Sequence, residues 1–245
     1  MMSYEGKHIA VFGASGGIGS ACVYELLQSG ALLSVFSRSA VKVVAADNSQ
    51  ILNQLHGDIT DESDLKAAAE VISASPPLTG ILITAGMLHD QKVQPEKSIK
   101  QVCADNFMQV LAVNTLGPSL VARYFTPLLA RQQRVWYAAL SARVGSIQDN
   151  RLGGWYAYRA SKAALNMVIK NLSIEMGRRN KSAVVVGLHP GTVDSGLSKP
   201  FQAGVSPEKL FTAAHSAQCL LNVLASLSPE HSGGCFDWAG KEIPA

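Results

Sequence analysis

Apolar and polar positions divide the chain into two kinds of segment that follow one another from end to end. Short runs that are almost continuously apolar are typical of buried strands, and longer segments with apolar residues every three or four positions are typical of amphipathic helices. The strands predicted in this way are residues 8–12, 31–36, 51–56, 80–84, 135–140, 183–188 and 235–238. The predicted helices are residues 18–28, 61–74, 105–130, 156–178 and 211–227.

The alternation of strands with helices predicts βαβ units and a parallel sheet. Strands that are apolar at nearly every position, such as Ala-Val-Val-Val-Gly-Leu at residues 183–188, need helices on both faces of the sheet. The predicted fold class is therefore α/β, with a doubly wound parallel sheet of about seven strands. We expect one domain over residues 1–245, with ligands bound beyond the carboxyl ends of the strands.

Composition excludes several classes of protein. Hydrophobic residues make up 47% and charged residues 16% of the 245 positions, which excludes a disordered chain. A net charge of +3 is too balanced to indicate nucleic acid as a partner. The sequence has neither an apolar stretch long enough for a membrane span nor the apolar core of a secretory signal. The four cysteines lack metal-ligand spacing, so we expect no metal and a reducing, cytoplasmic compartment.

A glycine-rich turn joins the first predicted strand to the first predicted helix. Gly13, Gly17 and Gly19 follow the pattern G-x-x-x-G-x-G, with Ser15 and Ile18 between them. Glycines allow a tight turn and a close approach of the backbone to a ligand. A helix start offers unpaired N–H groups and the positive end of the helix dipole. The turn therefore predicts a cradle for the pyrophosphate of a dinucleotide cofactor, with an ordinary loop of small residues as the alternative.

The second predicted strand leads into Arg38, close to the position where sites selective for NAD place an acidic residue. An arginine can instead pair with the 2′-phosphate of NADP. We therefore expect NADP(H) as the cofactor in preference to NAD(H). The alternative for Arg38 is a solvated surface arginine.

Tyr158 and Lys162 lie four residues apart in a predicted helix and therefore share one of its faces. A nearby ammonium favours the phenolate form of a tyrosine and lowers its pKa. Such a pair can donate a proton to a carbonyl oxygen or remove one from an alcohol. The alternative is an ordinary amphipathic helix that happens to contain both residue types.

With these features in one chain, the sequence resembles the short-chain dehydrogenase/reductase family, and within it the carbonyl-reductase and C-factor-like branch. The resemblance implies a Rossmann-type fold, a small-molecule carbonyl or alcohol substrate, and a homodimer or homotetramer. The residues that carry it, in chain order, are Gly13-x-x-x-Gly17-x-Gly19, Asp58-Ile59, Ala85-Gly86, Asn114, Ser141, Tyr158-x-x-x-Lys162 and Pro190-Gly191-Thr192.

The resemblance implies a role for each catalytic position. Tyr158 is the general acid or base, and Lys162 lowers its pKa and holds the nicotinamide ribose. Ser141 hydrogen-bonds the substrate oxygen. Asn114 bends its helix and supports a water that links Lys162 to solvent. A buried amide with its hydrogen bonds satisfied is the alternative for Asn114.

The resemblance also implies the cofactor contacts. Asp58 accepts from the adenine amino group, with the Ile59 backbone beside it, and an acid at a helix N-terminus is the alternative for Asp58. Ala85 and Gly86 pack at the adenosine ribose. Residues 195–210 form a substrate lid. The positions at the nicotinamide are Pro190, Gly191 and Val193.

The chain departs from the family pattern in two places that concern the cofactor. Ile83 and Thr84 stand where the family has two asparagines, and Gly16 stands where a basic residue is common. Thr84 is expected to replace one of the lost hydrogen bonds. Without a basic residue at position 16, Arg38 must supply most of the preference for NADP(H).

A third departure concerns the catalytic serine. Aligning the family's Ser-x-x-Gly on Gly145 puts Ala142 at the serine position, with Ser141 one residue early and Ser146 directly after the glycine. We favour Ser141 as the catalytic serine and keep Ser146 as the alternative.

The predicted function is reduction of an aldehyde or ketone by hydride transfer from NADP(H), with Tyr158 as the general acid or base. A second hypothesis is a C-factor-like nucleotide-binding protein with a signalling or regulatory role and little turnover. The intact Tyr158 and Lys162 favour the enzyme.

Overall fold

The computed structural model describes residues 4–41 and 49–245, and within them seven parallel strands form one sheet. The strands, numbered in chain order, are β1 (His8–Phe12), β2 (Leu32–Ser37), β3 (Ile51–His56), β4 (Gly80–Ile83), β5 (Val135–Leu140), β6 (Ala183–His189), β7 (Thr192–Val193), β8 (Leu210–Phe211) and β9 (Cys235–Asp237). The sheet has the order β3-β2-β1-β4-β5-β6-β9, and β7 pairs separately with β8. The predicted α/β class and number of strands are confirmed.

Helices cover both faces of the sheet. They are α1 (Gly17–Gln28), α2 (Glu62–Ser73), α3 (Ala104–Leu111), α4 (Gly117–Phe125), α5 (Tyr156–Arg179) and α6 (Ala213–Ser226). Successive residues of a strand point to opposite faces. In β1, Ile9 and Val11 pack into the core beneath α1 and α6, whereas Ala10 and Phe12 pack into the core beneath α2, α4 and α5. This double coverage explains why the inner strands are apolar at every position.

The strand order places a crevice above the centre of the sheet. From β1 the chain adds β2 and β3 on one side, and β4, β5, β6 and β9 on the other. The loops that follow β1 and β4 therefore lead away from each other, which opens the ligand-binding crevice of doubly wound sheets. Across the described ranges, no helix is long and apolar enough to cross a membrane.

The predicted helix over residues 105–130 is present as uninterrupted helical turns over residues 104–128, although it is not one regular α-helix. The structure divides it into α3, a π-helical turn over Ala112–Leu116, α4 and a 3₁₀ turn over Thr126–Leu128. Asn114 lies inside the π-helical turn, and its side chain is bonded to the backbone of Met87 instead of facing solvent. Single π-helical turns of this kind are found frequently at functional sites.

The predicted helix over residues 211–227 begins late, at Ala213. The preceding residues, Leu210 and Phe211, form β8 and pair with Thr192 and Val193 of β7. Two residues are too short a run for periodicity to reveal a strand. The pairing ties together the two ends of the segment predicted to be a lid.

Candidate active site

A cavity of about 600 Å³ lies at the carboxyl ends of β1, β4, β5 and β6. Its walls combine the glycine-rich turn, the start of α5, the end of β6 and the segment after β7. The predicted site residues that line it are Gly17, Ile18, Gly19, Ala85, Gly86, Ser141, Tyr158, Lys162, Pro190, Gly191 and Val193. Those that do not line the cavity formed by the described residues are Gly13, Ser15, Arg38, Asp58, Ile59 and Asn114.

The glycine-rich turn is packed so closely that two of its glycines have no room for a side chain. A Cβ at Gly19 would lie 2.2 Å from the carbonyl oxygen of Gly13, and a Cβ at Gly13 would lie 2.5 Å from the amide nitrogen of Ala85. Gly13 also has a φ of 83°, which a glycine adopts without strain. The absence of side chains at Gly13 and Gly19 therefore lets the N-terminus of α1 pack against the loop after β4.

The N-terminus of α1 suits an anionic ligand. Gly16 is its N-cap, and no side chain in the described chain caps it. The first turn contains no acidic residue, and Gly17, Ile18 and Gly19 all line the cavity. Unpaired N–H groups at a helix start bind phosphate groups. The residues present therefore fit the pyrophosphate of a dinucleotide.

Thr84 performs the supporting role expected of it at the end of β4. Its hydroxyl lies 3.0 Å from the carbonyl oxygen of Phe12 and 3.1 Å from that of Gly13. The backbone N–H of Thr84 also donates to Phe12 at 2.8 Å. A short side chain thus links β4 to the beginning of the glycine-rich turn.

Arg38 and Asp58 lie together at the ends of β2 and β3, away from the cavity. Their side chains approach to 3.8 Å, with the Arg38 side chain 77% exposed. One carboxylate oxygen of Asp58 accepts from the backbone N–H and the hydroxyl of Thr60, at 2.9 and 2.8 Å. The other oxygen faces Arg38. The Ile59 side chain is buried in the core, where it fills the space beside Gly117.

Tyr158 and Lys162 lie one turn apart at the start of α5, as their spacing predicts. The ammonium Nζ of Lys162 is 5.7 Å from the centre of the Tyr158 ring and donates to the carbonyl oxygen of Leu140 at 2.7 Å. Burial raises the pKa of Tyr158 to about 12, which is opposite to the lowering by Lys162 that the sequence predicts, and it lowers the pKa of Lys162 to about 8. Tyr158 is therefore protonated at neutral pH, as a proton donor must be.

Asn114 is fully buried beneath this pair. Its Oδ1 accepts from the Met87 N–H at 2.8 Å, and its Nδ2 donates to the Met87 carbonyl at 2.7 Å and to the Ser161 hydroxyl at 3.0 Å. A Cβ at Gly86 would lie 3.4 Å from Asn114 Oδ1 and 3.7 Å from Lys162 Nζ. Both polar groups therefore border the space above Gly86, although they do not hydrogen-bond to each other.

The two candidate serines differ in where their hydroxyls point. Ser141 lines the cavity, and its hydroxyl donates to Asn166 Oδ1 at 2.6 Å. Ser146 is outside the cavity wall that the described residues form. Its hydroxyl faces the carbonyl oxygen of Ala245 at 3.3 Å and accepts from the Asp149 N–H at 3.0 Å. Ala142 lines the cavity without offering any side-chain hydrogen bond.

Aromatic side chains form the outer wall of the cavity. Trp155 packs edge-on against Phe201 at 5.1 Å and against Tyr158 at 6.1 Å, measured between ring centres. Trp155 has a φ of 51°, which is unfavourable for any residue other than glycine. The backbone N–H of Trp155 donates to the carbonyl oxygen of Glu96, which helps to hold this conformation. Phe201 belongs to the predicted lid, so Trp155 packs against both the lid and Tyr158.

His189 also lines the cavity, and no motif in the sequence predicts this. It is the last residue of β6, and the predicted strand stopped one residue earlier. A histidine next to Pro190-Gly191 carries no signal of its own in a single sequence. Only the register of β6 against β5 shows that it reaches the site.

The chain belongs to the short-chain dehydrogenase family, whose model matches residues 7–205. Members of this family are oxidoreductases that use NAD(H) or NADP(H). The family predicted from the motifs is therefore confirmed, and so is its C-factor-like branch, through the first relative described below.

Three known proteins illustrate the similarity. C-signal of Myxococcus xanthus is 37% identical over 136 residues, which is 56% of this chain and 76% of that protein. The carbonyl reductase Sniffer of D. melanogaster shares the fold with a TM-score of 0.85 at 24% identity, over 98% of this chain and 100% of that one. The NADPH-bound carbonyl reductase from chicken fatty liver shares it with a TM-score of 0.83 at 24% identity, over 98% and 100%.

Proposed function

We propose that this chain is an NADP(H)-dependent oxidoreductase that reduces an aldehyde or ketone to an alcohol. The observation that carries the proposal is the position of Tyr158 and Lys162, which share one cavity with the N-terminus of α1. A phosphate cradle and a proton donor in one cavity are what dinucleotide-dependent carbonyl reduction requires.

The reaction needs one hydride and one proton. When bound, NADPH would supply the hydride for the carbonyl carbon and would be oxidised as the carbonyl is reduced. The electron pair of the C=O bond moves to the oxygen, which takes the hydroxyl proton of Tyr158. The Lys162 ammonium stabilises the phenolate that results, and a proton from solvent restores the phenol. Asn114 holds the loop that carries Met87 and Gly86 beside Lys162.

The preference for NADP(H) rests on Arg38. Its guanidinium is exposed beside Asp58, within reach of an adenosine that enters from the glycine-rich turn. Arginine binds a phosphate through two parallel hydrogen bonds. Asp58 then offers its second carboxylate oxygen to the adenine amino group. The NADPH bound to the chicken relative of the same fold supports this choice of cofactor.

The outer wall favours a substrate with an apolar body. Trp155, Phe201, Leu88 and Leu197 surround the mouth of the cavity, and pockets of this composition bind predominantly apolar small molecules. We propose residues 195–210 as the lid that covers the substrate, because β7 and β8 fix its two ends. Residues 1–245 then form one catalytic domain.

The experiment that tests the proposal combines binding with turnover. Purified protein is titrated with NADPH and NADH by fluorescence, and NADPH oxidation is then followed with a panel of aldehydes, ketones and quinones. We expect tighter binding of NADPH and turnover of at least one carbonyl. Failure to bind either cofactor contradicts the proposal.

A signalling role is the second candidate, and the observation that favours it is the similarity to C-signal. NADPH binding without turnover of any carbonyl in the panel is the outcome that supports this second candidate against the first.

A further inference from the structure

Reduction of a carbonyl develops negative charge on its oxygen, and donors aimed at that oxygen stabilise the transition state. Tyr158 supplies one donor. Two hydroxyls on the sheet side of the cavity are already committed. Ser141 has a single proton, which it gives to Asn166, and Thr84 gives its proton to backbone carbonyls. Lys162 donates one of its three protons to Leu140, and its ammonium is the group proposed above to stabilise the phenolate.

His189 lies beside these residues, and its side chain makes no hydrogen bond within the described ranges. The β5–β6 register places Leu140 opposite Leu188, so that Ser141 and His189 follow as neighbours on the face covered by α5. Nδ1 of His189 is buried and is the one such side-chain atom without a partner among residues 4–41 and 49–245. Nε2 has no partner in the same ranges either, and it is not buried.

The surroundings determine the charge and tautomer of His189. Burial, followed by the positive charge of Arg143, lowers its pKa to about 4, against the opposing effect of Asp237. The ring is therefore neutral at physiological pH and carries one proton. A buried N–H without a partner costs more than a buried lone pair, so the proton belongs on Nε2. Arg143 binds Asp149 at 2.8 Å and Asp237 at 3.1 Å, and within residues 4–41 and 49–245 neither carboxylate accepts a hydrogen bond from the His189 ring.

We propose that His189 is a further catalytic residue, whose Nε2–H donates to the substrate carbonyl oxygen alongside Tyr158. The inference rests on the proposed carbonyl reduction. It assigns to His189 the donor function that Ser141 and Ala142 do not supply at this wall of the cavity.

The test compares two substitutions of His189 with a rescue. His189→Ala removes the donor, and we expect kcat to fall about 10²-fold for the panel carbonyl that the wild type reduces fastest. His189→Gln keeps an N–H near the position of Nε2, and we expect its kcat to be at least tenfold higher than that of His189→Ala. Ala142→Ser, added to His189→Ala, supplies a hydroxyl at the cavity wall and is expected to restore turnover in part. The dissociation constant of NADPH should stay within threefold of wild type in all three variants.

Two results overturn the inference. One is a His189→Ala enzyme with wild-type kcat, particularly if Ser141→Ala loses 10²-fold instead. The other is a loss in His189→Ala that His189→Gln and Ala142→Ser both fail to repair while NADPH binding weakens by more than tenfold. Both results leave the wild-type reductase intact and are therefore distinct from failure of the proposed function, in which the wild type itself reduces nothing.

Discussion

Gly19→Ala is the substitution whose sign the structure decides most clearly. Gly19 is in the first turn of α1, where alanine would ordinarily stabilise a helix by about 1 kcal/mol relative to glycine. Here the added Cβ would lie 2.2 Å from the Gly13 carbonyl oxygen and 2.7 Å from the Thr84 hydroxyl. The nearer atom belongs to the backbone, so the turn itself has to move.

Overpacking of this kind costs about 1–3 kcal/mol. Because the atom in the way is backbone, we expect a cost in the upper part of this range, which leaves a net destabilisation of up to about 2 kcal/mol after the gain in helix propensity. For a chain of this length each kcal/mol lowers the melting temperature by about 2–4 °C. Because the displaced backbone forms the proposed phosphate cradle, we also expect NADPH to bind at least tenfold more weakly, a loss of about 1.4 kcal/mol.

Gly177→Ala provides the matched control. Gly177 lies near the end of α5, and a Cβ there would meet nothing within 4 Å. The same chemical change should then leave NADPH binding unchanged and stabilise the fold by up to about 1 kcal/mol. Thermal unfolding and fluorescence titration of both variants provide the comparison. If Gly19→Ala melts and binds NADPH as the wild type does, the close packing of the turn is refuted.

Three further predictions concern cofactor preference, the pH dependence of stability and the oligomeric state. Arg38→Asp should reverse the preference for NADPH over NADH, measured as the ratio of their dissociation constants. An unchanged ratio would contradict the proposed contact between Arg38 and the 2′-phosphate. Burial lowers the pKa of Lys162 from 10.5 to about 8, so between these values the unfolded state binds more protons than the folded state. The unfolding free energy of the wild type, measured by denaturant titration, should therefore rise with pH from about 8 to about 10.5 relative to Lys162→Met, and parallel curves contradict this. Light scattering should give the mass of a dimer or tetramer, since Met108, Leu116 and Met167 are exposed on the helices that cover β4 to β6; a monomer at working concentration argues against it.

Local patterns were sufficient to predict the sheet and the tight glycine-rich turn after β1. The apolar runs of β5 and β6 are continuous because helices cover both faces, so the pattern reports burial directly. Gly13 and Gly19 are required by close packing around a single turn, and a short sequence motif is enough to predict such a turn.

Features that depend on distant contacts were not predicted. The π-helical turn at Ala112–Leu116 includes an amide that bonds to Met87, 27 residues away in sequence. The pairing of β7 with β8 joins two dipeptides that carry no periodicity. His189 reaches the cavity because of strand register, and its unpaired nitrogens are visible only once the neighbouring side chains are placed.

The most direct test of carbonyl reduction is the rate of NADPH oxidation in a single turnover by wild type and Tyr158→Phe, with the panel carbonyl that the wild type reduces fastest. The substitution removes one oxygen and keeps the ring that packs against Trp155. We expect NADPH to bind as in the wild type while the rate falls at least 10²-fold, the lower end of what a positioned general acid contributes. A Tyr158→Phe enzyme that oxidises NADPH at the wild-type rate contradicts the account.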